Sequence, residues 1–260
     1  MPTIRATDIG TGSANSVNIP FPGTAVAGDT AFIFLGAGYA VNNVSGWSII
    51  SNLVGSNFNG AAFYKELTSG DISTGSVTVT FAGSYNFVWA IAVCVGSATE
   101  STAAASRNGD GSATITLAAS TATKTTDLVL LFGSNRGVDN ITIDHGTSLE
   151  QLSATEASGA LSSYTPTVDG TFDAVFTYPT PGSGNYQAIV SVADGGLLRS
   201  PRVATQVVEG APSASAVVPR VAMYVVEGQQ LFMEVPRVAA YVIEGPPSTR
   251  NLSQALMGTF

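Results

Sequence analysis

Between about residue 3 and residue 194, the chain alternates short β-branched or aromatic stretches with clusters of glycine, asparagine, serine and aspartate. Examples of the apolar stretches are "DTAFIFLGA", "SVTVTFAG", "FVWAIAVCV", "DLVLLFGS" and "YQAIVSV". Short strands bounded by turn residues are typical of a β-sandwich or a jelly roll. Helical periodicity is almost absent, and only "SLEQLSATEA" at 148–157 is compatible with a turn or two of helix. We therefore predict an all-β chain built on a jelly-roll-like antiparallel β-sandwich.

The composition suits strands and turns, and it limits the classes of partner. Charged residues are 11% of the chain and the formal net charge is −8. Because no basic stripe is present to displace counterions, we expect no nucleic-acid partner. The N-terminal residues lack the apolar segment of an exported precursor, and no apolar run reaches the ~18 residues of a membrane span, so we expect no membrane insertion. The single cysteine, Cys94, lies in an apolar run and is expected to be a small buried residue.

A weak internal repeat indicates two related halves. A shift of 98 residues places Asp29, which opens "DTAFIFLG", on Asp127, which opens "DLVLLFGS". The far ends also agree: "GSYNFVWAIAV" at 83–93 resembles "GSGNYQAIVSV" at 182–192, and Ala90-Ile91 falls on Ala188-Ile189 at the 98-residue offset. We predict halves of about 1–98 and 110–196, joined by the polar stretch "ESTAAASRNGDGS". The alternative is coincidence, since all β-sandwiches alternate strands and turns in this way.

Paired glycines and a proline in "DGGLLRSP" end the alternating pattern and predict a domain boundary. Residues 1–196 then form the sandwich and residues 197–260 a separate segment. That segment contains three near-copies of one phrase: "PRVATQVVEG" at 201, "PRVAMYVVEG" at 219 and "PRVAAYVIEG" at 236. The β-branched residues predict a strand in each copy, and Glu-Gly predicts the turn that ends it.

The charges of the three copies predict how the copies pair and assemble. The recurring charged residues are Arg202 and Glu209, Arg220 and Glu227, and Arg237 and Glu244. Antiparallel copies would bring Arg of one near Glu of the next, whereas parallel stacking would set Arg over Arg. A segment of ~60 residues with apolar residues on both strand faces cannot bury itself alone. We expect other copies to cover it in a homo-oligomer such as a trimer; the alternative is that it extends the sandwich of its own chain.

The sequence offers little catalytic chemistry. The single histidine, His145, follows Asp144 and would pair with it as a base or metal ligand, but its place beside a glycine is typical of a turn. No second histidine or cysteine cluster completes a zinc or iron site, and no Gly-x-Ser-x-Gly elbow is present. "RNGDGS" at 107–112 and the residues around Asp139 and Asp144 could offer oxygen ligands to calcium, but neither has the regular carboxylate ladder of a calcium loop, and turn formation explains both better. We predict no enzyme activity, no metal and no cofactor. A glycan-cleaving carboxylate pair stays an alternative, since the chain has 18 acidic residues.

Aromatic residues in loop-like stretches are candidates for stacking on a sugar. These are Trp47 and Tyr39, with Phe58 and Tyr85 in neighbouring stretches. The alternative role of Trp47 is core packing, and Trp89, inside an apolar strand, is expected to be core. A module that binds a host surface glycan through Trp47 and Tyr39 is therefore an alternative function.

The order "GDTAFIFL…GW…AAFYKEL…GSVTVTFAGS…AIAVCVG", followed by a looser second half, resembles jelly-roll-like domains of structural proteins of tailed bacteriophages. "RVATQVVEG" is similar to the Arg-Val-x-Gln-Val-Val-x-Glu strand repeats near the ends of such proteins, although its glutamine is displaced by one position and the other two copies have tyrosine there. The resemblance implies a non-enzymatic virion protein: a fibre, tail-associated or capsid-decoration component, with other capsid or tail proteins as partners.

Overall fold

The computed structural model of the 260-residue chain describes residues 1–55, 58–108, 113–118, 123–155, 157–179, 184–194, 203–206 and 221–224. In these ranges the secondary structure is antiparallel β-sheet with one short helix, so the all-β prediction is confirmed. The chain divides into two compact units, Met1–Leu197 and Leu198–Phe260. No helix among the described residues is long and apolar enough to cross a membrane.

The first unit begins with a five-stranded sheet in the order β1-β5-β2-β4-β3. Its strands are β1 Ile4–Pro20, β2 Thr30–Ala37, β3 Ser48–Leu53, β4 Asn59–Glu66 and β5 Ser76–Cys94. The long strands β1 and β5 pair along almost their whole length, with an irregularity between Ala14 and Ser16. All eight residues of β2 are buried, which explains why this stretch is continuously apolar instead of alternating.

The second half of this unit repeats the strand order of the first. Its five-stranded sheet consists of β6 Ala98–Asn108, β8 Leu128–Asn135, β10 Thr147–Leu152, β11 Ser158–Tyr164 and β13 Asn185–Asp194. The order β6-β13-β8-β11-β10 matches β1-β5-β2-β4-β3 strand for strand. A separate three-stranded sheet contains β7 Thr114–Ala118, β12 Asp173–Thr177 and β9 Thr142–Ile143. Because β7 pairs with β12, these two strands correspond to the paired far parts of β1 and β5.

The connection between the halves differs from the sequence prediction. Most of the polar stretch taken as a connector lies in β6, which pairs with β13 from Ala98↔Asp194 to Asn108↔Asn185. Residues 95–97 form the join instead. The serines, threonines and alanines of β6 give a weak strand signal, and pairing with the apolar strand β13 decides its conformation.

The helix lies elsewhere than the sequence indicates. Residues 148–152, within the stretch expected to hold a helical turn, belong to β10, and Leu149 and Leu152 pack against the buried residues between the two sheets. The helix, α1, is Ser69–Thr74. It begins with a capping box, in which the Thr68 side chain accepts from the Asp71 amide and the Asp71 carboxylate accepts from the Thr68 amide. "TSGD" is the sequence signal for this start.

Turns at equivalent positions of the two halves use the same hydrogen bonds. Before β2, the Val26 amide donates to Asp29 Oδ2 at 3.0 Å, and before β8 the Lys124 amide donates to Asp127 Oδ2 at 2.9 Å. Both pairs are related by the 98-residue offset. The match in strand order and in turn chemistry indicates that the two halves fold in the same way.

The two five-stranded sheets pack face to face over a shared core. Phe34 of β2 stacks on Phe132 of β8, its counterpart at the 98-residue offset, with ring centroids 5.4 Å apart. A Cβ on Gly60 would lie 1.9 Å from the Tyr186 ring, and a Cβ on Gly159 would lie 2.8 Å from a Val88 methyl carbon. These contacts are reciprocal, as in an isologous interface between two identical subunits. The first unit is therefore a sandwich with pseudo-two-fold symmetry.

Each half also has its own core on the other face of its sheet. In the first half this core includes Ile33, Leu35 and Trp47, and in the second it includes Leu131, Phe176 and Ile189. Along β2 and β8, residues thus alternate between two faces: one faces the core of its own half, and the other faces the shared core.

Two strands are described in the second unit. β14 Val203–Gln206 pairs antiparallel with β15 Val221–Tyr224, with Val203 opposite Tyr224 and Gln206 opposite Val221. β14 belongs to the first copy of the repeated phrase and β15 to the second. The six charged residues of the copies lie outside the described residues: Arg202, Glu209, Arg220, Glu227, Arg237 and Glu244.

Candidate ligand-binding surface

The loops of both halves meet at one end of the sandwich, which we call the distal end. It is the end where β2 and β8 finish, at Ala37 and Asn135. The register of β13 with β8 places Asp194, the last residue of β13, at the opposite end. Residues beyond Asp194 up to 202 lie outside the described residues.

Two tyrosines of the first half lie together at the distal end. Tyr39 follows β2 and is 46% exposed, and its ring meets that of Tyr85 edge-on with centroids 5.9 Å apart. Glycines make room for both rings: a Cβ on Gly38 would lie 2.0 Å from Tyr85, and a Cβ on Gly83 would lie 2.9 Å from Tyr39. With any larger residue at these two positions, the Cβ atom would collide with the tyrosine ring that lies over it.

Backbone hydrogen bonds fix the loop that carries Tyr39. The Gly38 amide donates to the Asn86 carbonyl at 3.0 Å, and the Ala82 amide donates to the Ala40 carbonyl at 2.9 Å. The loop is thus bonded to β5 on both sides of Tyr39, which positions the exposed ring before any ligand arrives.

The second half contributes a cation to the same place. The guanidinium of Arg136, just after β8, lies 4.5 Å from the centroid of the Tyr85 ring, a cation–π contact. The backbone amide of Arg136 donates to the Gly184 carbonyl at 3.2 Å. We call Tyr39, Tyr85 and Arg136 the distal cluster.

Arg136 differs from the other basic side chains whose surroundings the structure describes. Arg5 pairs with Asp29, Lys65 with Asp71 and Lys124 with Asp169. Arg136 forms no ion pair with any described residue. The distal cluster therefore combines an exposed ring with a positive charge that no described carboxylate neutralises. Arg136 is not among the residues predicted from the sequence, where its only signal is that basic residues are rare in this chain.

Trp47, the second residue predicted for sugar stacking, lies in the core of the first half. The residue is 8% exposed, and its ring stacks on Phe21 with centroids 6.5 Å apart. Phe58 is fully buried and Trp89 is 7% exposed. Of the aromatic candidates, Tyr39 and Tyr85 are the two that the structure brings together, and little of Trp47 is open to a ligand.

His145 and Asp144 occupy the turn between β9 and β10. His145 Nδ1 lies 2.6 Å from Asp144 Oδ1, which also accepts from the Val175 amide at 2.8 Å. The imidazole packs against the rings of Tyr164 and Phe172, with centroids 5.2 and 5.4 Å away. The pair thus joins the turn to β12. In the described part of the chain, no group of three or more histidine, cysteine, aspartate or glutamate side chains is placed to hold a metal ion.

Asp139, considered as an oxygen ligand, takes part in local structure. The Asn135 side-chain amide donates to Asp139 Oδ2 and the Asn140 backbone amide donates to Oδ1, both at 2.9 Å. The "RNGDGS" stretch lies mainly outside the described residues.

Three further buried titratable groups, Cys94, Tyr178 and Tyr186, are held in their protonated forms. Burial and the nearby charge of Asp29 raise the pKa of the Cys94 thiol to about 12, far from the thiolate that would act as a nucleophile. Burial also raises the pKa of Tyr178 and Tyr186, whose hydroxyls bond to Gln187 and Ser51.

Comparison of the chain with protein-family models, with curated proteins and with solved structures found no match.

Proposed function

We propose that the chain is a non-enzymatic structural protein of a tailed-phage virion that assembles through its C-terminal β repeats. Its place would be a fibre, the tail or the capsid surface. The assembled form is a homo-oligomer, with a trimer favoured. For the fold, we propose a jelly-roll-like sandwich that is followed by a segment of repeated strands.

The observation that carries this proposal is the antiparallel pairing of the first two copies of the repeat. β14 and β15 occupy matching parts of their copies and pair antiparallel over four residues each. A two-stranded ribbon of this size is only marginally stable in water, so it needs another surface to cover it. Other copies of the same chain can supply such a surface without a second kind of protein. Closed symmetry then limits the size of the assembly.

The construction of the sandwich also suits a virion component. Both faces of β2 and β8 are buried, and the first unit has three cores in its described residues. The buried carboxylate of Asp29 is engaged by Arg5 and by backbone amides. A rigid, acidic body with few lysines is appropriate for a durable exterior surface.

The direct test is the composition of purified particles. Virions from cells that express this gene would be purified on a density gradient, and the chain would be sought by mass spectrometry and by immunogold labelling. We expect the chain to co-sediment with intact particles in a fixed ratio to the main capsid protein. Its absence from gradient-purified particles would refute the virion proposal.

A further inference from the structure

The distal cluster has the features of a binding site that the proposed function does not use. Tyr39 exposes its ring, Tyr85 supports it edge-on, and Arg136 holds its charge 4.5 Å from the Tyr85 ring centroid without a carboxylate partner among the described residues. Neither tyrosine hydroxyl is hydrogen-bonded to a described residue. A ligand that satisfies all three groups needs an apolar face, hydroxyls and a negative charge.

We propose that the distal cluster binds a glycan that ends in a carboxylated sugar. The ring of the sugar lies against Tyr39, and its carboxylate accepts hydrogen bonds from the guanidinium of Arg136. An aromatic ring provides a flat apolar surface with a polar tip, and a guanidinium matches the two oxygens of a carboxylate.

An acidic peptide fits this surface less well than a sugar does. A peptide commonly binds by adding a strand to a free sheet edge. Here two backbone groups of the loop around Tyr39 are already bonded to β5: the Gly38 amide donates to Asn86, and the Ala40 carbonyl accepts from Ala82. Around Tyr39 the site therefore offers mainly side chains, which favours a compact ring over an extended chain.

The charge of the protein limits how many negative groups the ligand carries. The formal net charge is −8, so a polyanion would be repelled by the molecule as a whole. A single carboxylate next to Arg136 is attracted by the guanidinium and is repelled only weakly by the net negative charge of the protein. The ligand class is thus a mostly neutral glycan with one acidic terminal sugar.

The distal cluster lies in the first unit, and the proposed assembly uses the repeats of the second unit. Asp194, the last residue of β13, lies at the opposite end of the sandwich from the cluster. Glycan binding and oligomerisation use different parts of the chain, and failure of either proposal leaves the other standing.

The test uses the full-length chain and three defined probes in isothermal titration: 3′-sialyllactose, lactose, and a short Gly-Glu-Gly peptide. Sialyllactose has one carboxylate on its terminal sugar, and lactose is its neutral counterpart. We expect sialyllactose to bind more tightly than either of the other probes. Equal affinity for sialyllactose and lactose, tighter binding of the peptide, or no binding of sialyllactose up to its solubility limit would overturn the proposal.

Variants assign the interaction to the cluster. Arg136→Gln should weaken sialyllactose binding about tenfold or more and leave lactose binding unchanged, because it removes a charge-assisted hydrogen bond. Tyr39→Ala should weaken binding of both saccharides, and Tyr39→Phe, which keeps the ring, should weaken it less. Lys124→Gln is the matched control, since it also removes one positive charge but lies before β8, at the other end.

Thermal unfolding checks that each variant is folded before its affinity is compared. A folded Arg136→Gln chain that binds sialyllactose as tightly as the wild type would refute the role of the guanidinium. An equal loss of affinity in Lys124→Gln would show that overall charge, and not the distal cluster, controls binding.

Discussion

Asp29 joins three parts of the first sheet through one carboxylate. It accepts from Arg5 Nε at 2.6 Å, from the Val26 amide at 3.0 Å and from the Gly96 amide at 3.1 Å, and its side chain is 2% exposed. Burial raises the pKa of Asp29, but these hydrogen bonds outweigh burial and hold that pKa below its ordinary value. The ionised form is therefore part of the folded structure.

Replacing this carboxylate should make the free energy of unfolding depend less on pH in the acid range. Because the folded pKa lies below the unfolded one, the charge of Asp29 stabilises the fold above about pH 4, and that contribution is lost as the pH falls further, through the folded pKa. We expect Asp29→Asn to lower the free energy of unfolding by about 2 kcal/mol at pH 7, with the difference shrinking below about pH 4. Urea unfolding across this pH range measures it.

The exposed Asp173, at the start of β12, is the control for that experiment. Asp173→Asn should change the free energy of unfolding little at any pH in the range. A wild-type advantage over Asp29→Asn that stays constant down to the lowest pH would contradict the role assigned to the charge of Asp29.

Gly60 allows the two sheets to approach each other. Since a Cβ there would lie 1.9 Å from the Tyr186 ring, we expect Gly60→Ala to lower the free energy of unfolding by about 1–3 kcal/mol through overpacking. Gly23→Ala is the matched control, because a Cβ at Gly23 meets no atom within 4 Å. Chemical denaturation of the two variants measures the difference. Equal stability of both would contradict the close packing of the shared core.

At the scale of elements, apolar strands are predictable from the sequence and polar ones are not. β2 and β8 are recognisable because burial on both faces requires continuous apolar residues. The alanine-, serine- and threonine-rich strand β6 has no such signal, and its pairing with β13 is a tertiary effect. α1 is too short to show periodicity, and only its capping box marks it.

The pairing of the repeat strands has an electrostatic consequence. The first two copies run antiparallel where they are described, with Val203 opposite Tyr224. On this arrangement we expect Arg220 to be attracted to Glu209 of the neighbouring copy, so Arg220→Glu should weaken assembly. The double variant Arg220→Glu with Glu209→Arg should restore it, since the opposite charges are exchanged.

Sedimentation velocity at low salt would compare the single and double variants of the repeats. Reversal of Glu244 to Arg, combined with Arg220→Glu, is the control, because it restores the number of positive charges without exchanging the partners. Recovery of assembly in that control as well would show that total charge, and not a specific pairing, is responsible.

At the scale of the whole molecule, the pseudo-two-fold symmetry explains what the sequence shows and what it hides. The turns at Asp29 and Asp127 keep the same hydrogen bonds, so the offset is visible there. In the shared core, Val88 and Tyr186 occupy equivalent positions with different side chains, and only the packing against Gly159 and Gly60 reveals their common role. The distal cluster is less predictable still, because Tyr85 and Arg136 come from different halves.

The central claim, that this chain is a building block joined through its C-terminal repeats, is tested most directly by the molar mass of the full-length chain in solution. Light scattering on a size-exclusion column at micromolar concentration should give about three times the chain mass of 26.5 kDa. Ala204→Pro, which removes a backbone donor within β14, should shift the mass toward that of one chain, whereas Ala204→Ser should not. A wild-type chain that remains at 26.5 kDa over the whole concentration range would contradict the claim.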